Sequence, residues 1–220
     1  LKCSMEDLTC NEKDVEHILK CLHDTGVGPD GQPYSAYLAN LFIVVPLILC
    51  FLSELCQVHF ELQDKLLYAF LVFLPKKAFS MTATGVKIYK AANTRPLSLS
   101  NTFVKILATC KKYKLCKIAD SRVHRFQRCM SGRNLLDNVL DIDAAMHRFA
   151  ISGGEDSAAI FFDFKAAFPS LNRDYMWIIL RIAGIPWPFI DSIRKMYSRN
   201  LHFVKLAGKI FKGFMIRCGV

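Results

Sequence analysis

No two of the nine cysteines form a Cys-x-x-Cys pair. The closest, Cys50/Cys56 and Cys110/Cys116, lack the spacing of zinc ribbons or fingers. An odd count also argues against a disulfide framework, and free thiols in a reducing, intracellular compartment (nucleus or cytoplasm) are expected. Cys10, His17, Cys21 and His23 carry donor atoms that suit zinc, but their irregular spacing favours packing thiols and solvated imidazoles. No apolar run approaches the roughly 20 residues that span a bilayer. The longest, Leu41–Leu52, is interrupted by Pro46 and followed by Glu54 and Asp64. A buried helix is expected there, with a membrane-surface contact as the alternative, and no membrane partner is expected overall. No basic, apolar, small-residue leader opens the chain. It starts at Leu1 and stops at Gly219-Val220 within an expected strand, which suggests a piece of a longer protein. Acids are scarce as well: 19 Asp and Glu face 29 Lys and Arg, a net charge of +10. That balance favours a polyanionic partner such as nucleic acid. At 52% apolar, the chain is not expected to be disordered.

What is present centres on residues 158–168. Ala158, Ala159, Ile160, Phe161 and Phe162 run directly into Asp163. A short run apolar on both faces predicts a strand buried on both sides. Alternation puts Ala159, Phe161 and Asp163 on one face and Ile160, Phe162 and Phe164 on the other. A carboxylate at the end of such a strand needs compensation, because an unpaired buried charge is costly. A bound cation would supply it; an ordinary polar strand end is the plainer alternative.

Periodicity places the remaining elements. Leu8, Val15, Ile18, Leu19 and Leu22 can share one helix face. The stretch 25–34 has three Gly and two Pro, without the Lys-Ser/Thr of a phosphate loop, so a turn is expected. Leu71–Leu74 predicts a strand. Residues 103–128 combine Lys105, Lys111, Lys112, Lys114, Lys117, Arg122, His124, Arg125 and Arg128 with an apolar stripe, which predicts helix with a cationic outer face suited to nucleic-acid backbone. Leu135, Val139, Ile142, Met146 and Phe149 mark a further helix, ended by Ser152, Gly153 and Gly154. Asn172 is an expected N-cap for a helix through Ala183, with Gly184 at C′. Pro188 opens another helix, and Leu201–Leu206 with Lys209–Arg217 predicts a hairpin about Ala207-Gly208.

The order of these elements resembles the reverse transcriptases of non-LTR retrotransposons and group II introns. Phe161, Asp163, Ala167 and Phe168 match the family's Phe-x-Asp-x-x-x-Ala-Phe motif. Gly28-Pro29-Asp30-Gly31 resembles the turn leading into such domains. Pro75-Lys76-Lys77, then Arg95-Pro96-Leu97-Ser98-Leu99, then Lys105-Ile106-Leu107, resemble its fingers. Gln127, Gly132-Arg133 and Asp137-Asn138 resemble the next elements, although Cys129 and Met130 stand where Gly-Phe is usual.

The resemblance implies an α+β right-hand polymerase, truncated to the fingers and first half of the palm. Its divisions would be a helical extension over 1–70, fingers over 71–157 and partial palm over 158–220. It implies RNA-directed DNA synthesis, with an RNA template, a DNA primer and dNTP as partners and two Mg²⁺ ions as cofactors. Asp163 would be the catalytic metal ligand. Lys76 and Arg95 would clamp the triphosphate, Ala167 and Phe168 would lie under the sugar with Phe168 excluding a 2′-hydroxyl, and Lys105 and Arg133 would contact nucleic acid. The family's Ala-Asp-Asp turn is absent from these 220 residues, so the chain alone is expected to be inactive. A non-catalytic nucleic-acid-binding remnant is the alternative reading.

Overall fold

The computed structural model describes residues 3–76, 78–130, 132–152, 158–164 and 166–219. Two capping boxes open the chain. Ser4 caps α1 (Met5–Leu8) and Asn11 caps α2 (Glu12–Cys21), each accepting from the backbone three residues on. The second cap restarts the chain at Asn11, so the apolar stripe expected on one helix is divided between two.

After α3 (Tyr34–Leu38) comes α4 (Leu41–Glu54). Val44, Val45, Ile48 and Leu52 of α4 are buried, whereas Phe42, Ile43 and Leu47 face outward. The expectation of a buried helix therefore holds for one side only. Pro46 removes one intrahelical bond, to the carbonyl of exposed Phe42, leaving that acceptor on the open side. No described helix is long and apolar enough to cross a membrane.

The strands follow: β1 (Ala69–Pro75), the short β2 (Ser80–Met81) and β3 (Lys87–Ile88), and β4 (Thr94–Ser100). α5 (Thr102–Ala119) leads to α6 (Leu136–Ile151), a helical turn α7 (Ala167–Ser170), α8 (Arg173–Ile182), α9 (Trp187–Tyr197) and the hairpin β5 (Leu201–Leu206) and β6 (Lys209–Met215). The main sheet has the order β4-β1-β5-β6, with β1 antiparallel to β4 and parallel to β5. β2 and β3 form a separate ribbon between β1 and β4. The arrangement is α+β with a mixed sheet.

Helix α5 joins two apolar clusters. Its first turns bury Phe103, Ile106, Leu107 and Cys110 against α2 and α4. Further along, Leu115 and Ile118 pack on Trp177, Ile185, Phe189 and Ile190 of the α8–α9 pair. Each fully buried large side chain contributes about 1.5–3 kcal/mol. The α8–α9 corner follows its sequence signals: Asn172 accepts from the N–H groups of Asp174 and Tyr175, and Gly184 closes the helix with its N–H on the Arg181 carbonyl.

Residues 158–164 depart from expectation. They form no strand and are exposed, Ile160 by 73% and Phe162 by 87%. A strand buried on both faces needs backbone partners at its edges and packed layers above and below. Among the described residues the main sheet runs from β4 to β6 and none of its strands pairs with 158–164. The helix before it, α6, buries none of its side chains either, and its apolar stripe of Val139, Ile142, Met146 and Phe149 lies open. Lys77, Gly153, Gly154 and Lys165, which belong to the sequence motifs above, lie outside the described residues.

Candidate nucleotide and nucleic-acid interface

The main sheet has two unlike faces. The register pairs Ala69 with Ser100 and His202, and Leu71 with Ser98 and Val204. Residues opposite one another share a face. Ala69, Leu71 and His202 are all buried, so this is the packed side. There the Ser98 hydroxyl meets His202 Nε2 at 2.5 Å, and His202 Nδ1 lies 3.3 Å from the Asn200 carbonyl. Burial, above all, pushes the His202 pKa down.

The opposite face alternates through Phe70, Val72 and Leu74 of β1, Leu99, Leu97 and Arg95 of β4, and Phe203 and Lys205 of β5. Lys76 extends it, because its N–H donates to the Asn93 carbonyl at 2.9 Å and continues the β1–β4 ladder. Arg95 stands opposite Leu74, which puts Lys76 and Arg95 diagonally across one face. Such neighbours lie about 7–8 Å apart. Both are exposed. Lys205 lies over the Phe70 ring, with Nζ 5.0 Å from its centre. The four strands contain no Asp or Glu. This is an open, cationic sheet face with aromatic and aliphatic side chains between the charges, suited to phosphate and to unstacked bases.

The other predicted contact residues are engaged internally. Lys105 donates to the Gly26 carbonyl at 2.6 Å and lies over Tyr34. It helps anchor the Gly28–Gly31 turn, closed by the Gly31 N–H on the Gly28 carbonyl. Gly28 is required there by close approach: a Cβ would come within 2.5 Å of the Ser100 and Asn101 backbone. Asn101 also accepts from the Asp30 N–H and donates to the Lys65 and Leu66 carbonyls.

Arg133 is the organiser of the loop after α5. Its Nε donates to Asp120 Oδ1, one terminal nitrogen to the His124 and Gln127 carbonyls, and the other to the Asp120 and Val123 carbonyls, at 2.8–3.1 Å. A guanidinium has five N–H donors, and all are taken. The expected cationic face of 103–128 is similarly reduced. Lys114 and Lys117 reach Asp14, Arg128 pairs with Asp137 and Asp141, and Arg122 donates to the Ala183 carbonyl. Lys111 is only 5% exposed, its amine 3.4 Å from Cys56 Sγ and its pKa pushed down by burial.

Asp163 is exposed, and among the described residues no group of three or more His, Cys, Asp or Glu side chains gathers to hold a metal. Of the possible zinc donors, Cys10 is turned into the core, its thiol 3.6 Å from the Cys110 carbonyl. Ala166, at φ 55°, turns the chain into α7, which carries Ala167 and exposed Phe168.

Sequence reasoning passed over Arg173. Its guanidinium donates to the Tyr197, Ile216 and Gly219 carbonyls and stacks on the Tyr197 ring. It thereby ties the segment after β6 to the start of α8. Gly219 donates to the Leu171 carbonyl, and a Cβ there would press on the backbone of Phe168 and Pro169. A lone Arg after an N-cap gives no local sign of such a role. No model of a known protein family matches the sequence.

Proposed function

We propose that this chain is the nucleotide- and template-handling part of a reverse transcriptase of the non-LTR retrotransposon type, with a right-hand polymerase arrangement. The observation that carries the reading is the pairing of Lys76 and Arg95 on one exposed face of β1 and β4. Charge builds on phosphoryl oxygens during nucleotidyl transfer, and two adjacent cations stabilise it. The acid-free sheet face around them suits a template strand and primer. In this reading Ala167 and Phe168 lie under the incoming sugar, and Asp163 is the metal-binding carboxylate.

Two Mg²⁺ ions carry four positive charges and need several carboxylates. Asp163 alone does not fit that pair. A second reading, nucleic-acid binding without catalysis, is favoured by the same fact.

Equilibrium dialysis with dTTP tests the proposal. Lys76→Ala and Arg95→Ala should each weaken binding by roughly tenfold, the size of one charge-assisted contact. Lys13→Ala, on the exposed side of α2, should leave it unchanged. Equal dTTP affinity in all four proteins, with RNA–DNA hybrid still bound, would leave the binding-only reading in place.

A further inference from the structure

On the side of the molecule built from α8, α9 and the segment after β6 lies a polar cleft of about 380 Å³. That falls within the range of small-ligand sites, about 300–1,000 Å³. Trp177 forms part of its wall and is 9% exposed. Three arginines line it. Arg173 is spent on the three carbonyls described above. Arg194 and Arg217 are exposed and have no carboxylate partner among the described residues.

Neighbouring cations in α9 and just after it behave differently. Lys195 pairs with Asp191 and donates to the Leu55 and Gln57 carbonyls, and Arg199 pairs with Glu61 and Asp64. Of the three guanidiniums that line the cleft, Arg194 and Arg217 are thus the two not spent on backbone carbonyls or paired with a carboxylate among the described residues. Arg194 is held in place, its guanidinium 5.1 Å from the Trp187 ring centre, which leaves its N–H edge available. Arg217 is fixed through the backbone, because Arg173 holds the carbonyls of Ile216 and Gly219 on either side of it. One carboxylate, Asp174, stands on the rim, against three guanidiniums.

We propose that this cleft is a phosphate-binding site, with Arg194 and Arg217 as its donors. Guanidinium forks match tetrahedral oxyanions in a two-pronged geometry, and an aromatic wall beside them accommodates an attached sugar or base. The helix end contributes little, since the Asn172 side chain already occupies the N–H groups of Asp174 and Tyr175. The phosphate can come from a phosphodiester of a bound strand or from a free nucleotide. The site goes beyond the nucleotide-clamp reading and stands without it, because none of its residues lies on the β1–β4 face.

The test uses the chain's own reporters. Of its two tryptophans, Trp177 lines the cleft and Trp187 lies against Arg194, which lines it. Inorganic phosphate should change their emission at concentrations where sodium chloride of equal ionic strength does not. Arg194→Gln and Arg217→Gln should each weaken phosphate binding roughly tenfold, with melting temperature unchanged because both side chains are exposed. Arg217→Lys should recover part of the loss, and Asp174→Asn should tighten binding. Competition by a short oligonucleotide without a terminal phosphate identifies a backbone phosphodiester as the source; competition by AMP alone identifies a free nucleotide. If chloride reproduces the response, or if both Gln variants bind phosphate like the parent protein, the proposal is overturned.

Discussion

Replacing Arg133 by Ala separates two roles that predict opposite results. If the guanidinium served nucleic acid, its loss would weaken binding and lower the salt slope by about one counterion. The geometry instead assigns it to the loop after α5, where it satisfies four backbone carbonyls and the Asp120 carboxylate. Its side chain is 15% exposed, whereas that of Asp120 is 65% exposed. The ion pair itself therefore contributes only about 0.5 kcal/mol. The carbonyl bonds lie near the low end of about 0.5–1.5 kcal/mol each, because the opened loop can hydrate its acceptors. Together they amount to about 2–3 kcal/mol, or a fall in melting temperature of about 5–10 °C for a chain of this size. Urea denaturation gives the stability, and amide exchange of residues 119–130 should show the loop opening first. An Arg133→Ala protein of undiminished stability, whose RNA affinity and salt slope both fall, would refute this assignment.

Other predictions follow from the sheet and its attachments. RNA–DNA hybrid affinity should fall linearly with salt on logarithmic axes; Lys205→Gln should reduce the slope by about one, as read by fluorescence anisotropy. Burial first, and then the nearby positive charge of Arg173, push the pKa of His202 down, against the opposing pull of the Asn200 carbonyl. Its folded pKa lies below the unfolded value of about 6.5, so the unfolded chain binds the proton more readily. Its contribution to stability is complete above that value and is lost as pH falls toward the folded pKa; urea midpoints at descending pH should show a decline that His202→Gln flattens. Gly28→Ala should cost about 1–3 kcal/mol by overpacking against the Ser100 and Asn101 backbone, seen as a lower melting temperature.

Legibility in the sequence depended on how local each cause is. The bounds of α8 and the start of α9 could be read because Asn172, Gly184 and Pro188 act within a few residues of themselves. The β5–β6 hairpin was equally plain, since Ala207 and Gly208 both take positive φ at the turn. The charge of residues 103–133 was misjudged for the opposite reason. Cations can be counted along a helix, but the acids that neutralise them come from elsewhere, as Asp14 does for Lys114 and Lys117. The run ending at Asp163 has the composition of a central strand, but a strand is also a property of its neighbours, and no described strand flanks it. The shared face of Lys76 and Arg95 lay between these cases: their separation in sequence obscured it, and one register made it plain.

The parallel pairing of β1 with β5 joins Ala69 to His202, well over a hundred residues apart. Closing a loop that long costs about 4 kcal/mol in chain entropy before any contact is gained. During synthesis, at roughly 5–20 residues per second, β1 and β4 emerge many seconds before β5 exists. Throughout that interval the inner edge of β1, with Phe70, Leu71 and Val72 along it, has no backbone partner. An apolar edge left unpaired is a template for the wrong chain. The same connection that completes the sheet therefore sets a period of vulnerability in the life of each new molecule, and its length is fixed by the distance along the chain from β1 to β5.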